Sequence, residues 1–228
     1  MKLIRTLTMA ASIAAAAVTA APAMAQVNGI ATADPARAIA ASQPLQTSFQ
    51  QISQTYSAQL QQINAKRQQA ATVRQQLDTN ADGQVTDQEV AAARTANNPA
   101  IQQLQTLQTE ISTAEEPILM ARLYALEQIT QRYDAAQQQV VAARQIGVIL
   151  APEAFVYAPE AANVTGAISE ALNTSIPSVN TTVPSDWQPQ RQTVSLLQQI
   201  QEILAYAAYA QQQRQQQGQP AQQQPTGR

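Results

Sequence analysis

The stretch DTNADGQVTDQE, residues 78–89, concentrates oxygen donors in a chain of which only 12% is charged. Its spacing follows D-x-[DN]-x-[DN]-G-x5-E, the pattern of a twelve-residue calcium loop, at every required place. Asp78, Asn80 and Asp82 stand at positions 1, 3 and 5, Gly83 at the sharp-turn position, and Glu89 at the closing bidentate position. Gln84 would offer its backbone carbonyl and Thr86 the water-linked ninth place, with Val85 as the apolar eighth residue. Calcium suits such a set because it takes six to eight hard oxygens, whereas magnesium demands a tighter octahedron and keeps its water. A solvated turn uses the same Asp, Asn and Gly residues. That alternative accounts for Asp78 to Gly83 but gives no reason for Glu89. A single loop with three carboxylates implies weak binding, with a dissociation constant of about 10⁻⁴ to 10⁻³ M. Its expected role is structural, since the chain has no second loop with which to open a groove.

Other chemistry is thinly equipped. The chain has no histidine and no cysteine, which removes the usual general base, the commonest zinc ligand, thiol chemistry and disulfides. No nucleophile–base set and no glycine-rich phosphate loop is present, so a non-enzyme is expected. Glu115-Glu116, next to Pro117, reads as charge at a helix start. Asn163, Asn173 and Asn180 match the glycosylation acceptor pattern by chance.

Residues 1–25 read as a secretory leader: Lys2 and Arg5, an alanine-rich apolar run, then Ala23-Met24-Ala25 as the cleavage site. Cleavage after Ala25 would deliver the chain to the periplasm, with no stable membrane insertion afterwards. Without Lys2 and Arg5, 11 of the 13 basic residues remain against 15 acidic ones, a net charge of −4. That balance does not favour nucleic acid.

The elements that must hold the 78–89 loop are mostly helical. Few glycines and aromatics with abundant Ala and Gln point to long helices. Residues 26–43 read as a first strand, centred on Ile30-Ala31-Thr32-Ala33, and a helix entry at Asp34-Pro35. Residues 44–145 read as a helical hairpin. Leu45, Phe49, Ile52, Tyr56, Leu60, Ile63, Ala70, Val73 and Leu77 form one stripe. Ile118, Leu119, Leu123, Leu126, Ile129, Tyr133, Ala136 and Val140 form the returning stripe. Antiparallel pairing sets Leu77 opposite roughly Leu107 to Ile111 and puts the loop near the tip, with Pro117 kinking or restarting the return helix. Residues 146–179 read as a β-hairpin, IGVIL and AFVYA around a turn, followed by a helix. Residues 180–210 form a connector, with Trp187 packed on the body, and a further helix; residues 211–228 read as a disordered Gln-rich tail. The expected class is α+β, predominantly helical, with a long antiparallel helical hairpin projecting from a small β-sheet oligomerisation body.

GIATADPARAIAASQPLQTSFQQI and IGVILAPEAFVYAPEAANVTGAISEAL, with the hairpin between them, resemble the OmpH family of Skp-like periplasmic chaperones across residues 28–179. The resemblance rests on element order. It implies a homotrimer built on a central β body, with hairpins that hold unfolded outer-membrane proteins without ATP. The 78–89 loop, the Trp187 connector and the last helix lie outside it. Phe49, Tyr56, Leu126 and Tyr133 are candidate client contacts, with packing of the hairpin as their simpler role. The rival reading is a calcium-stabilised structural coiled coil of the envelope.

Overall fold

The computed structural model describes residues 29–217. The expected leader and the part of the tail beyond residue 217 lie outside the described residues. The chain is predominantly helical, with a long hairpin rising from a small body that contains a two-stranded sheet.

The sheet joins sequence ends 118 residues apart. Strand β1 (Ile30–Thr32) pairs in parallel with β2 (Val148–Leu150), in the register Ile30–Val148, Ala31–Ile149, Thr32–Leu150. Gly29, at φ +72°, starts the pairing: its carbonyl accepts from the N–H groups of Gly147 at 2.7 Å and Val148 at 2.8 Å. A single bridge from Thr32 to Asn163 prolongs this sheet on one side.

The expected β-hairpin over 146–158 does not form. Only 148–150 is a strand, and AFVYA does not fold back on it. Pro152 supplies the reason: it has no N–H for a ladder and its fixed φ starts a 3-10 turn over Pro152–Ala154. The chain then leaves the sheet, with Val156 and Tyr157 standing in solvent.

Helix α1 (Pro35–Ala41) begins at Asp34, whose carboxylate caps the N–H of Arg37 at 2.9 Å, with Pro35 in the first turn. Helices α2 (Gln43–Thr55) and α3 (Ser57–Gln75) form the outgoing arm, nearly continuous across Tyr56. After the 78–89 loop come α4 (Asp87–Thr95) and the return helix α5 (Pro99–Arg144). At 46 residues, α5 spans about 69 Å. It runs through Pro117 without restarting. One turn earlier the carbonyl of Ala114 takes a hydrogen bond from Gln59 Nε2 at 2.6 Å, tying α3 to α5 where proline weakens the ladder.

Three apolar clusters hold the arms. Ile52, Ile63, Ile111, Ile118, Ala121 and Ala125 pack the middle. Val73, Leu77, Ala93, Ala100 and Leu107 pack the tip, so Leu77 and Leu107 share a cluster as antiparallel pairing requires. The body cluster unites Ile39, Leu45, Leu126, Ile129 and Val140 with Ile168 and Leu172 of α6 (Thr165–Ser175). Each such side chain, fully buried, contributes about 1.5–3 kcal/mol. Lys66–Glu110 and Arg67–Glu115 cross-link the arms outside these clusters.

Helix α7 (Arg191–Gln217) closes the described chain on α1 and α5. It runs seven residues past the expected boundary at 210. Gln and Arg are good helix formers, and no Gly or Pro occurs between Arg191 and Gln217.

Candidate calcium loop at the hairpin tip

The loop is folded by its own side chains. Asp78 Oδ2 accepts from the N–H of Gly83 at 2.8 Å, Asn80 Oδ1 from Asp82 N–H at 2.9 Å, and Asp82 Oδ1 from Gln84 N–H at 2.8 Å. Each oxygen satisfies a backbone donor a few residues on, which winds the chain tightly. The path needs left-handed backbone at Ala81 (φ +58°) and Gly83 (φ +83°). Glycine meets the second requirement without strain.

Glu89 closes the loop. Its Oε1 accepts from Thr79 N–H at 2.8 Å, Thr79 Oγ1 at 3.0 Å and Asn80 N–H at 3.4 Å. Its Oε2 accepts from Thr86 N–H at 3.0 Å and Thr86 Oγ1 at 2.9 Å. With the Glu89 N–H returned to Thr86 Oγ1, this is a capping box at the start of α4. The backbone N–H groups of Thr86 and then Thr79 lower the Glu89 carboxyl to a pKa of about 2, because they stabilise only the charged form.

The sequence-predicted ligands therefore meet in one loop with two different orientations. Asp78, Asn80 and Asp82 wrap the first half, and Asp78 Oδ1 is buried without a hydrogen-bond partner. Such an orphaned carboxylate oxygen suits a hard cation. Thr86 and Glu89 instead face each other across the cap. Among the described residues, no three acidic, histidine or cysteine side chains are arranged to hold a metal ion. The donor types fit calcium; Glu89 would have to exchange its N–H and O–H donors for the ion.

The candidate client contacts divide. Leu126 and Tyr133 are buried in the body cluster, whereas Phe49 and Tyr56 are half-buried along the arm. Burial raises the Tyr133 hydroxyl to a pKa of about 12, with the charges of Asp34 and Asp134 adding to it. The exposed apolar surface lies elsewhere. Ile30 is 46% exposed, Val148 49% and Leu150 39%, all on the sheet; Val156 and Tyr157 stand on the following loop, and Tyr206 and Tyr209 on α7. On the hairpin Leu119, at 45%, is the large apolar side chain left open among the described residues.

Sequence reasoning also missed Glu127. It is buried in mid-α5, where its carboxylate accepts from Trp187 Nε1, the Gln190 N–H and Thr193 Oγ1. The signal was a lone acid inside the apolar run LYALEQI.

No family model and no curated protein matches this chain. Among solved structures, a Caulobacter crescentus CB15 protein provisionally described as an outer membrane chaperone, OmpH-like, is similar to it at 21% identity. The match covers 73% of this chain and 94% of that one, with a TM-score of 0.40. So loose a superposition leaves the fold assignment resting on the packing described above.

Proposed function

We propose that the protein is an ATP-independent holdase of the periplasm that binds unfolded outer-membrane proteins between the hairpins of a homotrimer. The observation that carries this reading is the unfinished sheet. Two strands of three residues are marginal by themselves in water. They carry exposed Ile30, Val148 and Leu150, followed in sequence by exposed Val156 and Tyr157. Unpaired edges and apolar faces of this kind ask for cover, and further copies of the same chain supply it symmetrically. The resemblance to the OmpH family supports the trimer and its clients. Among the described residues no helix is long and apolar enough to cross a membrane.

Light scattering of the mature chain tests the assembly, and a stable monomer overturns it. Delayed aggregation of a urea-diluted outer-membrane β-barrel protein tests the holding, and failure to protect overturns that part alone.

A second reading, a calcium-stabilised coiled coil, is favoured by the orphaned Asp78 Oδ1. Asp78, Asn80, Asp82, the Gln84 carbonyl, Thr86 and Glu89 would hold the ion. It would neutralise their charge and order the tip. Calcium titration of wild type against Glu89→Gln decides the matter: heat and a raised thermal midpoint in wild type only support the site, and identical traces reduce it to a turn.

A further inference from the structure

The last stretch of the described chain, residues 177–217, is attached in an unusual way. From Pro177 to Gln215, three residues are buried: Thr193, Leu197 and Ile200, all on α7. Residues 177–192 contribute none. Val179, Val183 and Trp187 lie partly buried against the hairpin, and the Trp187 ring meets Tyr124 edge-on at 5.1 Å between centroids. The connector is otherwise strapped to α5 by polar pairs over a single turn. Gln128 exchanges two hydrogen bonds with the backbone of Asn180, at 2.8 and 3.2 Å. One residue earlier, Glu127 gathers Trp187 Nε1 at 3.3 Å, Gln190 N–H at 3.3 Å and Thr193 Oγ1 at 3.2 Å.

This cluster makes the attachment of the connector depend on one carboxylate. All three donors to Glu127 are neutral, and none of the ion pairs among the described residues includes this buried carboxylate, so removing it frees all three donors at once. A cleft of about 120 Å³, open to solvent, lies beside it between Glu127, Gln131, Gln190 and Leu196, so water reaches the edge of the cluster. Beyond it, α7 presses Leu197 and Ile200 onto α1 and α5, spaced as a helix laid in an apolar groove. Past Ile203 the helix leaves the body and its side chains are largely open. Because this segment follows β1, β2 and both hairpin arms, its departure breaks no sheet pairing among the described residues.

We propose that residues 177–217 form a detachable cover: the stripe Leu197–Ile200 occupies an apolar groove between α1 and α5, and Glu127 is the latch that keeps it there. Release of the cover opens the groove to an apolar segment of a non-native polypeptide. The polypeptide part rests on the holdase reading; the detachment does not.

The full mature chain provides its own reporter, since Trp187 is its single tryptophan. Two variants release the cover from opposite sides, Glu127→Ala on α5 and Ile200→Asp on α7. In both, Trp187 emission moves to the red and protease cleavage within 177–192 accelerates about tenfold or more, because cleavage follows the open population. Far-UV circular dichroism keeps the hairpin signal. Wild-type emission and cleavage in both variants, or collapse of the whole helical signal in both, overturns the detachable cover. Protection of a urea-diluted outer-membrane β-barrel protein then rises above wild type by the same factor. Released covers without any gain overturn the groove as a binding surface, and the holdase reading is judged separately by the protection that wild type itself gives.

Discussion

Val148→Asp should convert the proposed trimer to monomers without unfolding the subunit. About half of Val148 is exposed in the isolated chain, so a carboxylate there stays in water and costs the monomer little. Covering the exposed remainder of such a side chain is worth about 1 kcal/mol, half of the value for full burial. Ile30, Val148 and Leu150 in three copies thus contribute roughly 9 kcal/mol to a trimer that covers them. The substitution removes roughly 3 kcal/mol of this and buries three carboxylates, each costing several kcal/mol after relaxation. A loss on the order of 10 kcal/mol weakens association by about seven decades. Light scattering at micromolar protein should then give the mass of one chain, with an unchanged circular dichroism spectrum. Leu119→Asp is the matched control, since Leu119 is equally exposed but lies on the hairpin, and its mass should equal wild type. A Val148→Asp protein that keeps the wild-type mass, or a Leu119→Asp protein that loses it, refutes assembly through the sheet.

Leu77→Ala, at the buried tip, should cost about 2–5 kcal/mol and speed amide exchange in α4 more than in α6, as read by hydrogen-exchange mass spectrometry. Gly83→Ala should cost about 1 kcal/mol in a denaturant titration; no atom would crowd the added methyl, so the cost is that of φ +83° alone. Glu89 gives the tip an acid dependence. Its carboxyl titrates lower in the folded chain, about 2 against an ordinary 4.5, so its contribution is complete above pH 4.5 and fades as pH falls to about 2. The difference in α4 protection between wild type and Glu89→Gln should close across that window, and a gap that persists at pH 2 contradicts the cap.

The helical stripes were readable because they repeat. Leu45, Ile52, Ile63, Val73 and Leu77 recur at helical spacing and all are buried, and the return stripe differs from expectation only at Leu119. A three-residue strand has no such redundancy. IGVIL and AFVYA are equally β-favouring, and what separates them is Pro152 together with pairing to a strand 118 residues away. The 78–89 loop was legible as a list of residues and less so as an arrangement. The motif names Glu89 by its position but does not say whether it faces a cation or the N–H groups of Thr79 and Thr86. Glu127 was hidden for a related reason: its partners lie 60 to 66 residues away, and only the tertiary packing brings them to it.

The distribution of apolar surface bears on how the proposed holdase would hold a chain and still release it without a nucleotide. The outer faces of α2, α3 and most of α5 are lined with Gln, Ser, Thr and Ala. A hydrogen bond from such a side chain to a client replaces one to water, and its net worth is about 1 kcal/mol or less. In the proposed trimer, many of these contacts would keep a client within the cavity while no single one retained it. Outside the surface assigned to assembly, apolar grip is available at Tyr206 and Tyr209, and under the cover at the Leu197–Ile200 seat. Those places lie on the body or on segments joined to it, and along the arms Leu119 is the large apolar side chain left open among the described residues. On the holdase reading, capture near the body with weak confinement by the arms would let a client that buries its own apolar residues leave spontaneously, since folding removes the surface that was held.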